Sequence, residues 1–198
     1  MEKKAYFAGG CFWGTEHYIR QFDGIIETMT GYANGTILNP SYEQVYTDKT
    51  GYAECVRVIY DENTLSLRTL LKLFFISIDP LQKDGQGGDI GTRYRTGIYW
   101  TDHDDRQTVE DVYAEIQSTY EAELTDAVHS DGSIHRQKII YIETGPLQCF
   151  YPAEDYHQDY LVKHPDGYCH ISLATQHFAK TYARLTEALK TVQAPSSK

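Results

Sequence analysis

Apolar and polar residues along this 198-residue chain alternate with the period of strands in some stretches and of helices in others. Lys4 to Ala8 reads as a short strand, and a helical pattern follows over about residues 11 to 22. Ile25 to Tyr32 reads as a second strand, with the turn chemistry of Asn34-Gly35 and Asn39-Pro40 after it. Tyr52 to Tyr60 alternates well: Tyr52, Glu54, Val56, Val58 and Tyr60 share one face, Ala53, Cys55, Arg57 and Ile59 the other. Ser66 is placed as the N-cap of a helix whose stripe is Leu67, Leu70, Leu71, Phe74 and Ile78, a core stripe. Asp79-Pro80 stops that helix, and a Gly-rich loop runs from Gln82 to Gly91. Tyr94 to Thr101 is expected as a strand, Asp104 to Leu124 as a long charged helix, and Lys138 to Glu143 as another strand. Gly145 to Cys169 looks irregular and aromatic-rich. The last amphipathic helix, from about Leu173, carries Phe178, Tyr182, Leu185 and Leu189, with a frayed tail from Ala194. Strands and helices that mix without strict βαβ alternation predict an α+β fold: a mixed sheet with flanking helices in a two-layer sandwich, plus a C-terminal helix.

Length adds that one catalytic domain can hold the whole chain, with a core over about 4–170, a helical extension over 171–193 and a tail over 194–198. Hydrophobic residues are 41% and charged residues 23% of the chain, which fits a soluble globular protein. The longest apolar stretch, Leu70 to Ile78, is too short to span a bilayer. No export signal is apparent in the opening residues, so the expected location is the cytoplasm. A net charge of −10 argues against a nucleic-acid partner, since phosphate binding needs a basic face.

The chemistry concentrates in Gly9-Gly10-Cys11-Phe12-Trp13-Gly14-Thr15-Glu16. Cys11 falls between a strand and a helix, where unpaired N–H groups and the positive dipole end favour thiolate. The other reading is an inert, buried cysteine packed as a small hydrophobe. Glu54 is the odd residue on its strand face. It is either a buried carboxyl that holds its proton near neutrality or a residue on the solvent face of an edge strand. Tyr42 and Tyr94 lie beside loops and can offer an O–H to a substrate oxygen; Asp89 lies in the second of those loops. Cys169, after Gly167-Tyr168, is a mobile thiol late in the chain, or a packed spectator. None of the four cysteines is spaced Cys-x-x-Cys, and none of the eight histidines, His129 and His135 among them, has a ligand spacing, so no metal is expected.

Gly9-Gly10-Cys11-Phe12-Trp13-Gly14-x-Glu16 resembles the signature of the A-type peptide methionine sulfoxide reductases, which act on the S epimer. Gly31-Tyr32-Ala33, Asn39-Pro40-Ser41-Tyr42, Thr50-Gly51-x-Ala53-Glu54, Gly88-Asp89-x-Gly91-Thr92-x-Tyr94-Arg95, Ala153-Glu154-Asp155-Tyr156-His157-Gln158 and Gly167-Tyr168-Cys169 follow in that family's order. The resemblance implies that Cys11 attacks the sulfoxide sulfur and Glu54 gives a proton to its oxygen. Tyr42 and Tyr94 would bond that oxygen, Asp89 would polarise the site, and Phe12 and Trp13 would cradle the methyl group. Cys169 would resolve the Cys11 sulfenic acid as a disulfide for thioredoxin to reduce, with no bound cofactor. Oxidised proteins or methionine sulfoxide would be the substrates, and the protein would be a monomer. The chain departs from the pattern at Tyr52, where histidine is usual, and at Cys55, where a small residue is common. It also has no cysteine beyond Cys169, and its C-terminal helix is not part of the signature. Two competing readings predict different behaviour: a cysteine hydrolase with His157 as base would need no thiol reductant, and a sulfoxide-binding redox sensor would release no methionine.

Overall fold

The computed structural model describes residues 1–125 and 140–193. The chain runs β1 (Glu2–Gly9), α1 (Phe12–Ile19), β2 (Ile25–Ala33), α2 (Tyr42–Tyr46), β3 (Ala53–Asp61) and α3 (Leu67–Ser77). Then come β4 (Gly85–Gln86), β5 (Asp89–Ile90), a 3-10 turn (Thr92–Tyr94), β6 (Thr96–Trp100) and α4 (Asp105–Thr125). β7 (Ile142–Pro146), β8 (Phe150–Pro152), α5 (Tyr160–Lys163) and α6 (Leu173–Gln193) complete it. Six strands form one mixed sheet in the order β7-β6-β1-β3-β2-β8, while β4 and β5 pair as a separate small hairpin. All neighbours in the large sheet are antiparallel except β6 and β7.

Side chains alternate across a strand, so β1 and β3 each feed two packed faces. Ala5, Phe7, Val56, Val58 and Tyr60 point into the main core, against Leu70, Leu71 and Phe74 of α3. Phe7 and Phe74 meet at a centroid distance of 4.9 Å. Tyr6, Ala8, Ala53, Cys55 and Tyr99 form a smaller cluster on the other face, covered by Leu147 and Phe150. Each fully buried large side chain contributes about 1.5–3 kcal/mol. Ser66 caps α3 as expected, its hydroxyl accepting the Thr69 N–H at 3.3 Å. The Glu62 carboxylate accepts the Leu67 N–H of the same open turn.

The α+β sandwich with its C-terminal helix is as expected; several boundaries differ. Tyr94 ends a 3-10 turn, because Gly91 at φ +142° and the Tyr94 N–H to Gly91 carbonyl bond wind the chain before β6 starts. The stretch from Gly145 to Cys169 is less irregular than its composition suggests. It contributes the edge strand β8, which pairs Tyr32 with Tyr151, and the one-turn helix α5. The seventh strand runs over Ile142–Pro146, later than expected; residues 138 and 139, His129, His135 and the tail from 194 lie outside the described residues. Ile78 falls just past the end of α3, in extended backbone. Among the described residues, no helix is long and apolar enough to cross a membrane.

Candidate active site

The turn that carries Cys11 is built by glycines. Gly10 has φ +81°, and a Cβ there would lie 2.6 Å from the Gln86 Cβ, so neither backbone nor space admits a side chain. The Thr15 hydroxyl ties the turn back by donating to the Gly9 carbonyl at 3.0 Å. Cys11 is the N-cap of α1 rather than its first helical residue, and its sulfur makes no capping hydrogen bond, although the N–H groups of Trp13 and Gly14 favour its charged form. The sulfur is also buried, with only 7% of the residue exposed. Burial and, next, the Glu54 charge push the thiol up, outweighing those two N–H groups. The thiolate expected from the helix terminus is therefore corrected: Cys11 rests as a thiol, because a helix of two turns offers only a partial charge against the desolvation of a whole one.

Glu54 occupies the middle of β3, which lies between β1 and β2 rather than at an edge. The solvent-face reading fails: Glu54 is 2% exposed. Its Oε2 accepts the Phe12 N–H at 3.0 Å, tying the carboxyl to the residue after Cys11. Burial pushes this carboxyl up to about 8; the Phe12 N–H and Arg93 pull against that, and Asp89 and Asp48 reinforce it. Glu54 thus holds its proton at neutral pH. Tyr52 is not among the groups that set it: its ring packs edge-on to Tyr151 and its O–H donates to the Ile37 carbonyl.

Tyr42 is the first residue of α2, whose Ser41 and Gln44 form a reciprocal capping box. Burial first, and then the Glu54 charge, raise both Tyr42 and Tyr94, the latter to about 12, so both keep their O–H. Arg93, paired with Asp48, lies 4.4 Å over the Tyr94 ring. Asp89 opens β5 with Oδ2 buried and without a hydrogen-bond partner; burial and, next, the Asp89 charge push the Tyr168 phenol up. Phe12 is fully buried, whereas Trp13 is half-buried. Trp13 stacks on Tyr160 at 3.7 Å and donates its indole N–H to His157 Nδ1 at 3.1 Å.

Cys169 packs against α1 one turn beyond Cys11. A Cβ on Gly14 would lie 3.4 Å from the Cys169 sulfur and 2.7 Å from His170 Nδ1, and residues three apart share a helix face. Cys169 Sγ bonds to the Ile171 carbonyl at 3.4 Å. The other two thiols lie elsewhere. Cys55 is fully buried in the cluster on the opposite face of the sheet, and Cys149 Sγ lies 3.7 Å from the Tyr52 hydroxyl. All four cysteines are free.

Sequence reasoning quoted Glu154 within a motif without giving it a role and missed Asp48, the two groups that hold this site in shape. Glu154 accepts the Tyr32 hydroxyl at 2.7 Å and the Tyr42 N–H at 2.8 Å. Asp48 anchors Arg93, also accepting its N–H at 2.8 Å. The spacing of Glu154, His157 and Tyr160, three residues apart, was the available signal. His157 is no partner base for Cys11. Its Nδ1 is taken by Trp13 and its Nε2 faces Glu154 at 3.9 Å, which removes the geometric basis for a Cys–His hydrolase. Among the described residues no group of three or more His, Cys, Asp or Glu is placed to hold a metal ion.

A buried acid, a buried thiol, two phenol O–H groups and a second thiol one helical turn away suit protonation of an oxygen during attack by sulfur. Comparison with known proteins agrees. The family model described as "Peptide methionine sulfoxide reductase" matches residues 3–188. The chain is 46% identical over 171 residues to the peptide methionine sulfoxide reductase MsrA of Clostridium botulinum, covering 86% of this chain and 99% of that protein. To the MsrA of Mycoplasma genitalium it is 44% identical over 169 residues, 85% of this chain and 98% of that one. Reduced Mxr1 from Saccharomyces cerevisiae superposes with a TM-score of 0.74 at 34% identity, covering 87% of this chain and 92% of that one. Mxr1 in complex with Trx2 matches with a TM-score of 0.51 at 25% identity, over 80% of this chain and 84% of that one. With a family model spanning nearly its whole length and relatives this similar, the chain belongs to the peptide methionine sulfoxide reductase family.

Proposed function

We propose that this chain reduces the S epimer of methionine sulfoxide, free or within oxidised proteins, with Cys11 as nucleophile and Glu54 as acid. Cys11 sulfur attacks the sulfoxide sulfur while Glu54 delivers its proton to the sulfoxide oxygen, turning a poor leaving group into a good one. The Glu54 carboxylate then takes the proton that Cys11 gives up, so the acid is restored. The substrate's S–O bond breaks, oxygen passes to the Cys11 sulfur as sulfenic acid, and methionine leaves as the thioether. Tyr42 and Tyr94 donate to the oxygen where charge develops. Asp89 polarises the site, and Phe12 and Trp13 wall the methyl pocket. Cys169 condenses with the sulfenic acid to a disulfide, releasing water, and thioredoxin reduces that disulfide. The complex of Mxr1 with Trx2 supports that choice of reductant. The whole chain acts as one catalytic domain, monomeric and cytoplasmic, with no bound cofactor.

The observation that carries this reading is the buried Glu54 carboxyl, bonded to the amide next to Cys11 and pushed up by its burial. The test is methionine release from separate S and R sulfoxides with dithiothreitol as reductant. Release from the S epimer alone is expected, and Cys11→Ser is expected to abolish it. Equal release from both epimers, or from neither, would overturn the reading.

A further inference from the structure

His170 follows Cys169 and lies across the turn that carries Cys11. On one side, its Nε2 bonds to the Gly9 carbonyl at 2.9 Å, and a Cβ on Gly10 would come within 3.2 Å of that nitrogen. A carbonyl only accepts, so Nε2 carries the hydrogen and Nδ1 is the lone-pair nitrogen. On the other side, Nδ1 is buried with no hydrogen-bond partner. It faces the same spot on Gly14 that the Cys169 sulfur faces. A buried acceptor without a partner calls for an explanation, and reduction of the sulfoxide by Cys11 and Glu54 gives this imidazole no role.

We propose that His170 is the base of the resolving step, accepting the Cys169 proton on Nδ1 while its Nε2–H anchors it to Gly9. This rests on the assignment of Cys169 as resolving thiol. The Cys169 S–H bond breaks and its proton passes to Nδ1. The freed electron pair on sulfur forms the S–S bond to Cys11, and the S–O bond of the sulfenic acid breaks. The departing hydroxide takes the proton back from the imidazolium and leaves as water, so atoms and charge balance without another reactant. The groups around the ring are compatible. Burial holds His170 below the usual histidine range, so it is neutral and able to accept, and Asp89 supplies charge that steadies the imidazolium once formed. Tyr168, Cys169 and Cys11 are the other titratable groups of this surround, and burial keeps both thiols protonated. A thiol in that state needs a base before it can attack.

The test is rapid-quench kinetics on the reduced full-length protein, following methionine release and loss of free thiols separately after mixing with methionine-S-sulfoxide. His170→Gln keeps an amide donor for Gly9 and removes the base. Methionine release in the first turnover is expected to stay within about twofold, while disulfide formation slows at least tenfold. The wild-type disulfide rate is expected to rise with pH through an inflection below 6.5, and the variant to lack it. Should His170→Gln lower thermal stability, His170→Ala with added imidazole replaces it, and imidazole is expected to restore disulfide formation. An unchanged disulfide rate, an equal slowing of methionine release, or a failure of imidazole to rescue would each overturn the proposal. Cys169→Ser separates the two assignments. If it still forms an intramolecular disulfide, the resolving thiol is misassigned; if it does not and His170→Gln is silent, only the base is.

Discussion

Glu54→Gln tests the central feature of the site, because it removes the titrating proton and little else. Gln keeps the shape of the side chain and a carbonyl oxygen for the Phe12 N–H, which Glu54 now accepts at 3.0 Å. The carboxyl titrates near 4.5 when unfolded and near 8 when folded. The folded state therefore binds this proton more tightly, and stability is fully present below pH 4.5 and is lost as pH rises through 8. Each pH unit in that window is worth about 1.4 kcal/mol, so Glu54 costs the native protein about 3 kcal/mol at pH 7. A neutral amide escapes this loss. Relative to wild type, Glu54→Gln should gain about 2–3 kcal/mol of stability between pH 5 and 7. The same variant should lose about 10²–10⁴-fold in methionine release, as expected for removal of a general acid. The assay is urea unfolding of both proteins at half-unit steps from pH 4.5 to 8.5, with single-turnover rates on the same samples. Titration of groups that Glu54 does not influence cancels in the difference between the two proteins. A difference independent of pH would refute the claim that Glu54 is buried as the neutral acid, whatever the activity did.

Trp13→Phe loses the N–H bond to His157 and part of the stack on Tyr160; at about 1–2 kcal/mol it should raise KM for the sulfoxide about tenfold with a smaller change in kcat. Steady-state kinetics checks this, and an unchanged KM would remove Trp13 from the methyl pocket. Ser66→Ala removes the cap of α3, which accepts the Thr69 N–H. It should destabilise by about 1 kcal/mol and lower Tm by about 2–4 °C at unchanged kcat, measured by calorimetry.

Local rules made much of this protein legible from its chain. Alternation in β3 and the stripe of α3 follow from residue period and burial alone, and Ser66 announces its helix because an orphan N–H needs an acceptor nearby. The double glycine before Cys11 and the motifs strung from residue 9 to 169 singled out the thiols, the tyrosines, Asp89 and Glu54 before any fold was known. Non-local questions stayed open because a carboxylate or a thiol behaves according to what surrounds it. Whether Glu54 faces solvent depends on β3 lying inside the sheet, a pairing that strand periodicity does not encode. Whether Cys11 rests as thiol or thiolate depends on burial by residues far along the chain, which here outweighs the helix terminus. The Gly91–Tyr94 turn and the pairing of β8 with β2 escaped notice because both are set by partners distant in sequence. Asp48 looks like an ordinary polar residue, and Glu154 and His157 have no supporting role within their motif, until the fold brings them under the tyrosines and the tryptophan. Sequence alone determined which groups can react; only the tertiary structure decided their protonation and their neighbours, since desolvation and pairing are properties of the space around a side chain.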